Sequence, residues 1–86
     1  MRVILFEKTA LKDFNEWSKI NPTIYNKIID LLNDIQISLF AGLGKPEPLK
    51  HKLKGFWSRR INKEHRLVYK ITKKEIIVVS CKYHYN

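Results

Sequence analysis

Apolar residues follow two rhythms along this chain. Residues 2–6, Arg-Val-Ile-Leu-Phe, form a short continuous run that reads as a largely buried strand. Ala10, Leu11, Phe14 and Trp17 then recur at helical spacing, which predicts a helix over about residues 10–20 with Thr9 as its N-cap. Asn21-Pro22 restarts the pattern, with Asn as N-cap and Pro at the first helical position. Ile24, Ile28, Leu31, Leu32 and Ile35 make the stripe of a second helix running to about residue 38. Two helices with so short a join predict an αα-hairpin.

Gly42-Leu43-Gly44-Lys45-Pro46-Glu47-Pro48 ends helical structure, because two glycines and two prolines oppose it. Beyond it the spacing turns strand-like, over about 56–61, 65–72 and 75–82, with Leu49–Leu53 as a further short edge strand. Asn62-Lys63-Glu64 and Lys73-Lys74 are short enough for hairpin turns. The expected fold is α+β, in the order β-α-α-β-β-β(-β), as one domain spanning 1–86. It is one antiparallel sheet with both helices on one face and the other face open.

Charge divides the chain differently from its structure. Residues 1–44 carry five basic and five acidic groups, whereas residues 45–86 carry twelve basic groups against Glu47, Glu64 and Glu75. The whole formal charge of +9 therefore lies in the second half, which calls for a polyanionic partner, usually nucleic acid. The single cysteine, Cys81, excludes an internal disulfide, and the His and Cys spacings fit no zinc site. No apolar run approaches the roughly 20 residues of a membrane helix, and the N-terminus does not read as a signal peptide. The expected location is the cytoplasm.

Strand alternation sorts the basic residues. Leu67, Tyr69 and Ile71 share one face, the expected core face, and Arg66, Val68 and Lys70 share the other. With a three-residue loop at 62–64, Ile61 pairs with His65 and Arg60 lies opposite Arg66. A two-residue loop would separate the arginines to opposite faces. Two arginines opposed on one face repel unless an anion sits between them. Any single strand arginine is more often a solvated charge; the pair favours phosphate. Glu47, between two prolines, is either a turn acid or a carboxylate held in place by restricted backbone. The terminal Tyr83-His84-Tyr85 follows a strand directly, so His84 is a candidate general acid and Tyr85 a candidate stacking or hydrogen-bonding group. His51 reads as a phosphate or solvent contact. His65 has core-face parity, and Cys81 reads as a buried small hydrophobe. Glutamate, arginine and histidine suffice for metal-free RNA cleavage through attack of the ribose 2′-OH.

Four stretches closely resemble the YoeB/Txe toxins of the RelE superfamily of bacterial toxin–antitoxin systems. They are Gly-Lys-Pro-Glu-Pro-Leu-Lys-His at 44–51, Gly-Phe-Trp-Ser-Arg-Arg-Ile at 55–61, Glu-His-Arg-Leu-Val-Tyr at 64–69 and Tyr-His-Tyr at 83–85. The resemblance implies a RelE-like microbial RNase fold and a ribosome-dependent mRNA endoribonuclease acting in the A site, without cofactor or metal. It implies Glu47 as general base, Arg66 as transition-state stabiliser, His84 as general acid and Tyr85 as an orienting aromatic. Lys50 and Arg60, with Arg59 and His51, are expected to contact phosphate. The implied partners are the ribosome, mRNA and an acidic, YefM-like antitoxin; a homodimer is left open. The alternatives are a non-catalytic ParE-like toxin and a basic RNA- or ribosome-binding module.

Overall fold

Asn21 divides the two helices as the spacing predicts. Its side chain accepts a hydrogen bond from Ile24 N at 3.3 Å, and Pro22 occupies the first helical turn, where a missing N–H costs nothing. The computed structural model describes residues 1–83. Its elements are β1 (Val3–Phe6), α1 (Lys8–Ile20), α2 (Pro22–Ile37), β2 (Glu47–Pro48), a one-turn 3₁₀ helix (His51–Leu53), β3 (Trp57–Arg60), β4 (Arg66–Ile71) and β5 (Glu75–Ser80). The sheet order is β1-β5-β4-β3-β2, and the class is α+β. All five residues of the α2 stripe are buried. Each contributes on the order of 2 kcal/mol against exposure, which anchors α2 more firmly than its intrinsic helix propensity could.

Four local expectations differ from the structure. Helix α1 begins at Lys8, with Glu7 rather than Thr9 at the N-cap and no side-chain cap. The anticipated strand at Leu49–Leu53 is instead the 3₁₀ turn, and only Glu47–Pro48 pairs with β3. The sheet is not wholly antiparallel: β1 runs parallel to β5. Finally, β1 is not largely buried. It is the sheet's edge, helices cover only one of its faces, and Val3 and Leu5 remain 59% and 41% exposed on the other. A run of four apolar residues, Val3 to Phe6, carries no record of which strands flank it.

A bulge separates β5 from the tail. Val68 pairs with Ser80 and Tyr69 with Val78, so Val79 is the extra residue. The bulge reverses the facing of everything after it. Ser80 joins Val68 on the face away from the helices, and Cys81 turns into the core, where it is fully buried.

The largest fully buried side chain is Arg59. It projects from β3 to the core side, and each of its five N–H donors has an acceptor. Nε donates to Tyr69 Oη at 3.0 Å; Nη1 donates to Asp34 Oδ2 at 2.6 Å and to the Leu43 carbonyl at 3.1 Å; Nη2 donates to the carbonyls of Ser38 and Ala41, both at 2.7 Å. Arg59 was expected at phosphate. That expectation is corrected here, because a guanidinium saturated inside the core has no donor left for a ligand.

Replacing Arg59 with Met keeps the aliphatic stem and strips the donors from these acceptors. Urea unfolding is expected to register a loss of roughly 2–4 kcal/mol, a large part of the stability of so small a domain. The acid partner adds a pH signature. The Asp34 carboxyl is held below its ordinary value of 3.8, first by the Leu43 N–H bond and then by Arg59. Depressed in the folded state, it stabilises the fold above pH 3.8 and loses that contribution as pH falls through the lower folded value. Asp34→Asn should therefore show a shallower acid decline in its urea midpoint than wild type.

Candidate active site

The face turned away from the helices carries the candidate site. Glu47 on β2 lies opposite Ser58 on β3, Ser58 opposite Val68 on β4, and Val68 opposite Ser80 on β5. Ser58 and Val68 are buried and form a floor. Two residues along, Arg60 pairs directly with Arg66, the register that a three-residue hairpin loop requires. The loop itself is built by Asn62, whose side-chain oxygen accepts from the backbone N–H groups of Glu64 and His65 at 2.9 and 2.7 Å.

Glu47 and Arg66 meet diagonally over that floor. Arg66 Nη1 stands 3.6 Å from Glu47 Oε1, an ion pair longer than a hydrogen bond. Its side chain is only 17% exposed, whereas that of Glu47 is 58% exposed. Arg66 Nε is buried without a hydrogen-bond partner among the described residues. Among the described residues the arrangement leaves a guanidinium with unused hydrogen-bonding capacity beside an accessible carboxylate, and Arg60 as a second cation in no ion pair. An anion placed between Arg60 and Arg66 would relieve their repulsion.

Glu47 is held by the loop before it. Gly44 adopts φ +79°, and its carbonyl accepts from Arg60 N at 2.6 Å. A Cβ at Gly44 would lie 2.9 Å from the Arg60 carbonyl oxygen, so only glycine lets the loop approach β3 this closely. Lys50 and His51 are exposed on the segment joining β2 to β3. No hydrogen bond or ion pair joins either of them to Glu47 or Arg66. His84 and Tyr85 lie outside the described residues. The last described residue, Tyr83, is bonded to the site: its carbonyl accepts from Arg66 N at 3.1 Å, and its N–H donates to His65 Nδ1 at 2.8 Å. Sequence reasoning gave His65 only core-face parity and missed this bond. The available signal was a histidine immediately before the site arginine, at a position where an apolar residue would be expected.

Among the described residues, no three His, Cys, Asp or Glu side chains converge as a metal site would require. A family model described as YoeB-like toxin of bacterial type II toxin–antitoxin system matches residues 6–85. The chain belongs to this YoeB-like toxin family. Toxin YoeB of Escherichia coli K12 is 44% identical over 82 residues, covering 95% of this chain and 98% of that protein. Among solved structures, the YoeB/ParE toxin from Agrobacterium tumefaciens superposes with a TM-score of 0.94 at 37% identity, covering 99% of this chain and all of that one. Staphylococcus aureus YoeB superposes at 0.92 as a dimer, at 42% identity over 98% of each chain. In its complex with YefM it superposes at 0.91, at 43% identity over 99% of each chain.

Cys81 is the one thiol in this YoeB-like toxin. Burial first, and Asp13 second, push it up to about 12, against a smaller opposing effect of Lys82. A thiol so shielded is no nucleophile at neutral pH. Native protein at pH 8 is expected to stay unlabelled by an aromatic disulfide reagent over minutes and to label fully in denaturant. Rapid native labelling would show that the tail opens.

Proposed function

We propose that this toxin is a metal-independent endoribonuclease that cuts mRNA in the ribosomal A site and so stops translation. The observation that carries the reading is the 3.6 Å pairing of accessible Glu47 with Arg66, on an open face that also presents Arg60. Glu47 takes the proton from the ribose 2′-OH, and the freed oxygen attacks the adjacent phosphorus. Arg66, assisted by Arg60, offsets the charge that grows on the non-bridging oxygens. His84 protonates the departing 5′ oxygen, and Tyr85 orients the base or phosphate. The products are a 2′,3′-cyclic phosphate and a 5′-hydroxyl. DNA, lacking the 2′-OH, is not a substrate. Lys50 and His51 extend the phosphate path along the β2 side of the sheet.

The partners follow from the same surface. Messenger and ribosome supply the polyanion that the second half of the chain requires. An acidic, YefM-like antitoxin would inhibit by covering the basic face and would add stability by mass action. The Staphylococcus aureus relative, solved with YefM, supports that assignment. The same relative is also solved as a dimer, and sedimentation of the free toxin tests whether this chain shares that state.

Primer extension on a translated message decides the reading. Wild type should produce cuts within codons that survive EDTA, with a cyclic phosphate on the upstream fragment. Glu47→Ala and His84→Ala should each lower the cleavage rate at least about 100-fold while RNA affinity is retained. Undiminished toxicity in both variants would mean a ParE-like or purely RNA-binding mode of action instead.

A further inference from the structure

Tyr83 is the strained residue of the described part of the tail. Its φ of +62° lies in the left-handed region, which costs a bulky side chain on the order of 1 kcal/mol. Such a conformation persists only where surrounding contacts over-determine it. Both of its backbone polar groups are held, the carbonyl by Arg66 N and the N–H by His65 Nδ1. The Arg66 contact is backbone to backbone and does not involve the His65 side chain. The His65 contact is made by a side chain, and that side chain is only 6% exposed.

The His65 ring is itself in contact with two others. The Trp17 indole of α1 meets it edge-on, with ring centroids 4.8 Å apart, and the Tyr83 ring lies tilted to it at 5.4 Å. Trp17 Nε1 also donates to the Cys81 carbonyl at 3.0 Å, so the same indole orients both the histidine and the tail that the histidine holds. Because Nδ1 accepts a hydrogen bond, the ring is neutral and carries its proton on Nε2. Nε2 lies 3.6 Å from Glu64 Oε1, a partner that suits an N–H at that position.

We propose that His65 is a positioning residue. Its neutral imidazole pins Tyr83 in the left-handed conformation against Arg66, and so fixes the point and direction from which the chain continues to His84. This rests on the nuclease reading for its consequence but not for its geometry. Arg66 and the terminal residues come from separate segments, and the peptide of Tyr83 is where those segments join. Placement errors of an ångström at a reacting group cost large factors in rate, so loss of the pin should lower turnover more than binding.

His65→Phe keeps the ring and removes the acceptor; His65→Asn restores an acceptor at the position of Nδ1. Three readouts are compared: Tyr83 amide exchange by NMR, RNA affinity, and the single-turnover cleavage rate. The expected pattern for His65→Phe is loss of Tyr83 protection and a cleavage rate lowered at least about tenfold, with affinity within about twofold. His65→Asn should recover both protection and rate to within about threefold of wild type. A His65→Phe protein with wild-type Tyr83 protection and wild-type rate overturns the proposal, as does failure of His65→Asn to recover either. Should His65→Phe not fold, wild type still decides. Its ¹⁵N imidazole shifts must report an unprotonated, hydrogen-bonded Nδ1, and the opposite tautomer overturns the proposal. If no form of the protein cuts RNA, the nuclease reading fails, while the Tyr83 amide still judges the pin.

Discussion

A buried guanidinium organises this small domain. Arg59 reaches from β3 beneath the sheet and gathers the end of α2 and the 38–43 segment through Asp34 and the carbonyls of Ser38, Ala41 and Leu43. A charge removed from water is tolerated only when it is paired and fully hydrogen-bonded, and here both conditions are met. The network leaves little latitude in the loop: Leu43 N returns a bond to Asp34, and a Cβ at Gly42 would collide with the Asp34 carboxylate. That loop leads directly into Gly44 and Glu47. The position of the proposed base is therefore inherited from an ion pair on the opposite side of the sheet.

Adjacent arginines have opposite fates because a strand alternates its faces. Arg59 enters the core, and Arg60, one residue on, projects to the open face opposite Arg66. The two faces also differ in how polar groups are treated. On the core side every Arg59 donor is satisfied, and Tyr69, raised above its ordinary value by burial despite the opposing effect of Arg59, serves as one of the acceptors. On the open side Arg66 Nε has no hydrogen-bond partner among the described residues, and Arg66 opposes a like charge. Local conflict of that kind belongs where a ligand completes the interaction.

Two sheet-derived residues and one tail make up the proposed machinery, and they are joined by different means. Glu47 and Arg66 are set by strand pairing, which is rigid. The tail, as far as Tyr83, is held against the Arg66 backbone by a bulge in β5, by the Trp17 bond to Cys81 and by the two bonds on Tyr83. A strand alone would have sent Cys81 outward. The bulge instead turns the chain once, early enough for Tyr83 to reach the end of the β3–β4 hairpin.

Much of this was legible in the residues themselves. The spacing of Ile24, Ile28, Leu31, Leu32 and Ile35 determined α2 and its buried stripe and Asn21-Pro22 its start, whereas the 62–64 hairpin left two registers open, of which the structure adopts the one that pairs Arg60 with Arg66. These are local rules of period, capping and turn length, and they act within a few residues. The proposed site residues were assigned chiefly through the four motif stretches, since nothing in the spacing of Glu47 alone distinguishes a positioned carboxylate from a turn acid. Only the tertiary structure decided that Arg59 is a core residue, that β1 lies exposed at a parallel edge, and that His65 holds Tyr83. Each of these depends on which distant segment packs alongside. Arg59 and Asp34 are 25 residues apart, and Trp17 and Cys81 are 64. No local pattern records such a meeting, because the free energy that selects it comes from burying both partners together.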